Sequence, residues 1–120
     1  MSKYIDGFVI PIQKDQIEAY RLIAEKAGAI WKEYGALEYV ETIGDDLETK
    51  DMVSFPQLAN CGPDETVVFS WITYESREHR DEVNAKVMAD PRLCEMMTDD
   101  KHPFDCKRMA YGGFKTIVEA

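Results

Sequence analysis

Two stretches of this chain, residues 4–12 and 66–74, are apolar on both alternating sets of positions. In the first, Tyr4, Phe8, Ile10 and Ile12 share one parity, and Ile5 and Val9 the other. In the second, Val67, Phe69 and Trp71 stand against Val68, Ile72 and Tyr74. Successive side chains of a strand point to opposite faces, so a half-solvated antiparallel strand alternates apolar with polar. A strand that is apolar on both sides needs cover on both. Any fold built on these two strands must therefore cover its sheet twice.

The intervening segments supply only one cover. Ile17, Tyr20, Ala24, Ala27, Trp31 and Tyr34 recur at spacings of three and four, which predicts a helix over 14–34 with one apolar stripe. Asp15 is its start signal and Gly35 its stop, and Gly28 inside it either weakens it slightly or permits close approach to the sheet. Residues 36–43 alternate as a second strand, and the irregular 44–65 holds at most a short edge strand, Met52–Phe55, ended by Pro56. A loop of that length tends to carry function. A second helix runs from its cap at Ser76 to about Asp90, before Pro91, with His79, Val83 and Val87 on its stripe. Residues 91–98 add a helical turn. Residues 108–118 read as the last strand, in which Gly112-Gly113 signals a bulge or a close backbone contact.

This order is the ferredoxin-like βαββαβ arrangement, an α+β fold with two helices on one face of an antiparallel sheet, expected here as a single domain over 1–120. The helices leave the other face bare, and an identical sheet is the simplest second cover. We therefore expect a homodimer joined through its sheet faces.

Charge narrows the partners. The chain carries 14 basic and 23 acidic residues, a formal net charge of -9, and Lys107-Arg108 is its one adjacent basic pair. Such a field repels nucleic acid and anionic membranes. No apolar run approaches a membrane span, and Asp6 interrupts the N-terminal apolar stretch that a signal peptide needs, so a cytoplasmic location is expected. Cys61, Cys94 and Cys106 are widely spaced and form no zinc pattern, so reduced thiols and no metal are expected. The acidic pairs Asp45-Asp46 and Asp99-Asp100 lack the spacing of a calcium loop. No phosphate loop, nucleophile elbow or dinucleotide fingerprint is present, and no cofactor is called for.

The motifs Ile5-Asp6-Gly7-Phe8-Val9, Val68-Phe69-Ser70-Trp71-Ile72, Asp90-Pro91-Arg92, Pro103-Phe104-Asp105, Lys107-Arg108-Met109 and Tyr111-Gly112-Gly113-Phe114 carry a resemblance along nearly the whole chain. The sequence resembles the YbaA-like family of small uncharacterised bacterial proteins. That resemblance implies a dimeric α/β-barrel fold and no known activity. The wider fold group includes monooxygenases, haem-degrading enzymes and binding modules, which supplies possibilities and no assignment.

Several residues can carry chemistry. Asp6 interrupts a central apolar strand, where a charge is costly unless paired. Arg108, on the neighbouring last strand, is the expected partner; an unpaired Asp6 reads instead as a general base. His79 is either a packed histidine or an acid/base group in a cleft. Haem-degrading relatives of the fold combine a strand tryptophan with a helix histidine, loosely like Trp71 and His79. His102, Asp105 and Arg108 form either a carboxylate-orienting cluster or a solvated turn in which Asp105 pairs with its basic neighbours. Trp71, Tyr74 and Tyr111 are pocket aromatics or core and interface aromatics. Two functions follow: a binding or regulatory module for a small partly apolar ligand or a protein, and, as the alternative, a cofactor-independent monooxygenase- or isomerase-type enzyme with Asp6 as base.

Overall fold

A computed structural model describes residues 3–97 and 103–120. The two doubly apolar segments form its centre. Strand β1 (Tyr4–Gln13) and strand β3 (Glu65–Tyr74) pair antiparallel along their whole length, from Tyr4 opposite Tyr74 to Gln13 opposite Glu65. Strand β2 (Glu38–Ile43) lies outside β3, and β4 (Ala110–Lys115) outside β1, in the order β2-β3-β1-β4. The fold is ferredoxin-like α+β, as the periodicity implies.

Directly paired residues share a face, so the register sorts the side chains. Tyr4, Asp6, Phe8, Ile10 and Ile12 point to the same side as Tyr74, Ile72, Ser70, Val68 and Thr66. Helix α1 (Ile17–Glu33) and helix α3 (Arg77–Met88) cover that side. Ile10, Ile12 and Val68 pack with Tyr20 and Ala24 of α1, while Ile72 and Tyr74 pack with Ile30, Val83, Val87 and Leu93. The other parity, Ile5, Val9, Phe69, Trp71 and Phe114, faces away from both helices.

Local chemistry sets the element ends. After α1, Gly35 adopts φ 112°, and its N–H and that of Ala36 bond the carbonyls of Lys32 and Trp31, closing the helix. Gly28 turns a bare backbone toward β2: a Cβ there would lie 2.7 Å from the Tyr39 ring. Ser76 caps α3 by accepting from the His79 N–H at 3.1 Å. Asp90 then begins helix α4 (Pro91–Met97), accepting from the Arg92 N–H at 2.8 Å.

Two expectations fail for physical reasons. Met52–Phe55 is no edge strand. Ser54 and Gln57 form a reciprocal capping box, and with Pro56 in the first turn the segment becomes a short helix, α2 (Phe55–Leu58). The last strand is shorter than 108–118: Asp105 caps a 3-10 turn over Cys106–Arg108, and at the other end the ladder closes at Tyr4–Lys115, where the Thr116 N–H bonds the Lys3 carbonyl. Ile117 and Val118 are consequently exposed. The Gly112-Gly113 pair makes no bulge, since the register runs unbroken from Val9–Ala110 to Tyr4–Lys115. Gly113 serves close approach instead: a Cβ there would meet the Tyr4 hydroxyl.

No helix among the described residues is long and apolar enough to cross a membrane.

Candidate functional site: a cleft between helices and sheet

The helices do not seal the sheet. Between them lies a cleft of about 320 Å³, floored by Tyr39–Glu41 and Ser70–Ile72 and walled by apolar side chains of α1, α4 and the segment before β4. Phe8, Ile10, Ala27, Trp31, Leu93 and Phe104 give it its apolar character. Two polar clusters interrupt that surface.

The first is built on Asp6, which is 1 % exposed. Its Oδ1 accepts from Arg80 Nη1 at 2.8 Å, and its Oδ2 from Asn84 Nδ2 at 3.4 Å. Arg80 and Asn84 stand one turn apart on α3, which places both over β1. Arg80 also donates to the Tyr111 hydroxyl at 2.9 Å and stacks 5.0 Å over the Tyr4 ring. Asn84 Oδ1 in turn accepts from Trp31 Nε1 and from the Tyr74 hydroxyl, each at 3.1 Å. Burial, and then the Asp6 charge, push both Tyr74 and Tyr111 above the ordinary tyrosine value, so their hydroxyls stay protonated.

The second is built on Glu41 of β2. The Tyr20 hydroxyl donates to its two oxygens at 2.7 and 2.9 Å, and the Tyr39 hydroxyl to Oε2 at 2.9 Å. Burial first, and then the Glu41 charge, raise both tyrosines far above their usual range. Phe104 packs edge-on against Tyr20 with centroids 5.4 Å apart.

The expected Asp6–Arg108 pair does not form. Asp6 lies opposite Gly113, whereas Arg108 precedes the residue opposite Val9, which separates them along β1 by about 16 Å at roughly 3.3 Å per residue. Arg80 takes Asp6, and Arg108 grips Glu65 through two nitrogens at 2.8 and 2.9 Å. Of the residues His102, Asp105 and Arg108, the Asp105 carboxylate accepts from the Lys107 backbone N–H at 2.9 Å, Arg108 turns to Glu65, and His102 lies outside the described residues. His79 is half-buried, packed edge-on against Tyr74, and its Nδ1 accepts from the Glu75 N–H. Trp71 projects from the opposite face of the sheet, where its indole donates to Glu38. Trp71 and His79 therefore do not meet. Of the residues singled out from sequence, Asp6, Tyr74 and Tyr111 come together around Arg80 and Asn84.

Glu65 and Asp90 give a pH dependence. The Arg108 hydrogen bonds and the Gly62 N–H hold the Glu65 carboxyl down at about 2. Arg92, and then the Tyr34 hydroxyl, hold the Asp90 carboxyl well below the usual carboxylate range. A lowered folded-state value means stability that is present above the ordinary carboxylate value and lost as pH falls through the folded one. Thermal stability should therefore fall between about pH 4.5 and about pH 2. Melting curves of Arg108→Met should lie below wild type at neutral pH and converge with it at the acid end.

The sequence model of the family described as "Protein of unknown function (DUF1428)" matches residues 3–106. The chain belongs to this family. It is 44 % identical over 117 residues to the uncharacterized protein YbaA of Escherichia coli strain K12, and to that of Shigella flexneri, with 98 % of each chain covered. Two solved structures share the fold of this DUF1428 chain at a TM-score of 0.63. One is a NIPSNAP family protein of unknown function from Agrobacterium tumefaciens, 19 % identical over 95 % of this chain and 87 % of that one. The other is a dimeric ferredoxin-like protein from an uncultured marine organism, 11 % identical over the whole of both. A Bacillus cereus protein described as an antibiotic biosynthesis monooxygenase aligns at a TM-score of 0.52 and 9 % identity, over 100 % of this chain and 98 % of that one. At these identities the likeness concerns the fold.

Proposed function

We propose that this DUF1428 chain is a homodimeric binding module that holds a small, partly apolar molecule in the cleft between helices and sheet. The cleft carries the reading: an apolar cavity of about 320 Å³ with a few convergent polar groups is the usual form of a small-molecule site. The polar groups favour binding over catalysis. Both oxygens of Asp6 are engaged by Arg80 and Asn84, which leaves it poorly placed to take a proton from a substrate. The dimer is supported by the exposed aromatic side chains on the sheet face turned away from α1 and α3 and by the dimeric state of one protein of the same fold.

Native mass spectrometry of protein purified without added ligand tests the reading. The expected species is a dimer carrying an extra small-molecule mass. Ala27→Leu points three more carbons into the cleft and should shed that mass while the dimer survives. A bound mass that ignores this substitution would place the ligand elsewhere, and a bare protein from every preparation would overturn the binding function.

A further inference from the structure

Four carboxylates among the described residues are buried or half-buried: Asp6, Glu41, Glu65 and Asp90. Three sit against an arginine, namely Arg80, Arg108 and Arg92. Glu41 is the exception. Its bonds come from two neutral phenols, and among the described residues no Lys, Arg or His nitrogen lies within 4.0 Å of it.

The surroundings leave that charge uncancelled. Among the described residues, the side chains lining the cleft include the carboxylates of Asp6 and Glu41 and no Lys, Arg or His. Arg80 neutralises Asp6, so among the described residues the negative charge that remains at the cleft wall is that of Glu41. A larger groove of about 610 Å³ between α1 and β2 shares Tyr20, Ala24, Tyr39 and Glu41 with the cleft, and it does hold two cations. Both are committed elsewhere: Arg21 to Glu18 and Glu25, and Lys32 to the Leu37 carbonyl. An unneutralised carboxylate against an apolar wall is costly, and a cation from outside removes that cost. Aromatic faces stand beside it, with the Trp31 and Tyr39 rings 5.9 Å apart and Phe104 against Tyr20. Such faces attract ammonium groups as well as apolar rings.

We propose that Glu41, held by Tyr20 and Tyr39, is the recognition point for a cationic amine carried on an apolar, ring-bearing body. This rests on the binding reading of the cleft and names the class of its ligand. Glu41 supplies the charge-assisted acceptor, the two tyrosines fix its orientation, and the aromatic walls take the ring.

The test titrates ¹⁵N-labelled protein with 2-phenylethylamine and tryptamine, and with the alcohol and carboxylate counterpart of each. Shifts are read at the Trp31 indole N–H and at the amides of β2. Each amine should bind at least about tenfold more tightly than its alcohol, the value of one charge-assisted bond, and the carboxylates more weakly still. Glu41→Gln keeps an acceptor for both tyrosines and should erase the preference for amine while leaving the affinity for alcohol in place. Asp46→Asn, which removes an exposed carboxylate outside the cleft, should change nothing. Alcohols or carboxylates that shift the cleft resonances as strongly as the amines would overturn the amine assignment and spare the binding reading. So would a preference that survives Glu41→Gln. If none of the six compounds moves a cleft resonance, both fall.

Discussion

Arg80→Ala should be among the most damaging single substitutions in this protein, costing about 3–5 kcal/mol, the usual effect of stripping one partner from a buried ion pair. Asp6 is 1 % exposed and the Arg80 side chain only 13 % exposed, so water cannot take over the lost role. What remains for the carboxylate is the Asn84 amide at 3.4 Å, too weak a donor to hold a buried charge. For a chain of this length the melting temperature should drop by on the order of 10 °C or more. Asp6→Asn removes the buried charge itself, and its arginine partner still reaches Asp81 and Tyr111, so that loss should be smaller. The decisive comparison is the cycle. Arg80→Met combined with Asp6→Asn should be more stable than Arg80→Met alone, because the second change removes the uncompensated charge left by the first. Equal or additive losses would mean that the pair is not the element holding α3 to β1.

How far the sequence carried can be followed through Asp6 itself. A charge interrupting a doubly apolar strand is visible without coordinates, and so is its need for a partner. The identity of the partner is not. Sequence periodicity drew the α3 stripe through His79, Val83 and Val87, whereas Arg80 and Asn84 lie on the adjoining stripe, and it is the crossing of α3 over β1 that selects them. The Glu41 site was hidden in a similar way. Tyr20 lies on the α1 stripe and Tyr39 and Glu41 share one parity of β2, but nothing local says that the two elements meet there. Gly28 is the nearest signal, since the approach it allows brings α1 down onto Tyr39. The fold was more legible because it depends on alternation and helical spacing, both of which are local. The segment before α2 was misread because β-branched and aromatic residues at 53 and 55 suggest a strand, while the Ser54–Gln57 capping box wins by satisfying helix-end donors at short range.

Phe69→Asp and Phe114→Asp should each convert the proposed dimer to a monomer without unfolding it. The face turned away from α1 and α3 carries Ile5, Val9, Phe69, Trp71 and Phe114, and Phe69 and Phe114 are 43 % and 62 % exposed in the isolated chain. These rings are not scattered. Phe69 packs against Phe55 of α2 at 5.7 Å and against Trp71 at 5.8 Å, and Phe114 lies over the bare backbone of Gly7 and Gly112. The result is an apolar surface, aromatic along β3 and again at Phe114, on strands whose opposite face is covered by α1 and α3. Under two-fold symmetry a substitution enters the interface twice, so one aspartate places two like charges in an apolar contact. Several kcal/mol of penalty follow, a weakening on the order of a thousandfold in the dissociation constant. Because both side chains are substantially exposed in the single chain, each variant should keep its melting behaviour apart from the part that dimerisation contributes. Light scattering behind size-exclusion chromatography reads the mass directly. A dimer that withstands both aspartates would move the interface off the sheet, and the second cover demanded by the two doubly apolar strands would then have to come from a different protein.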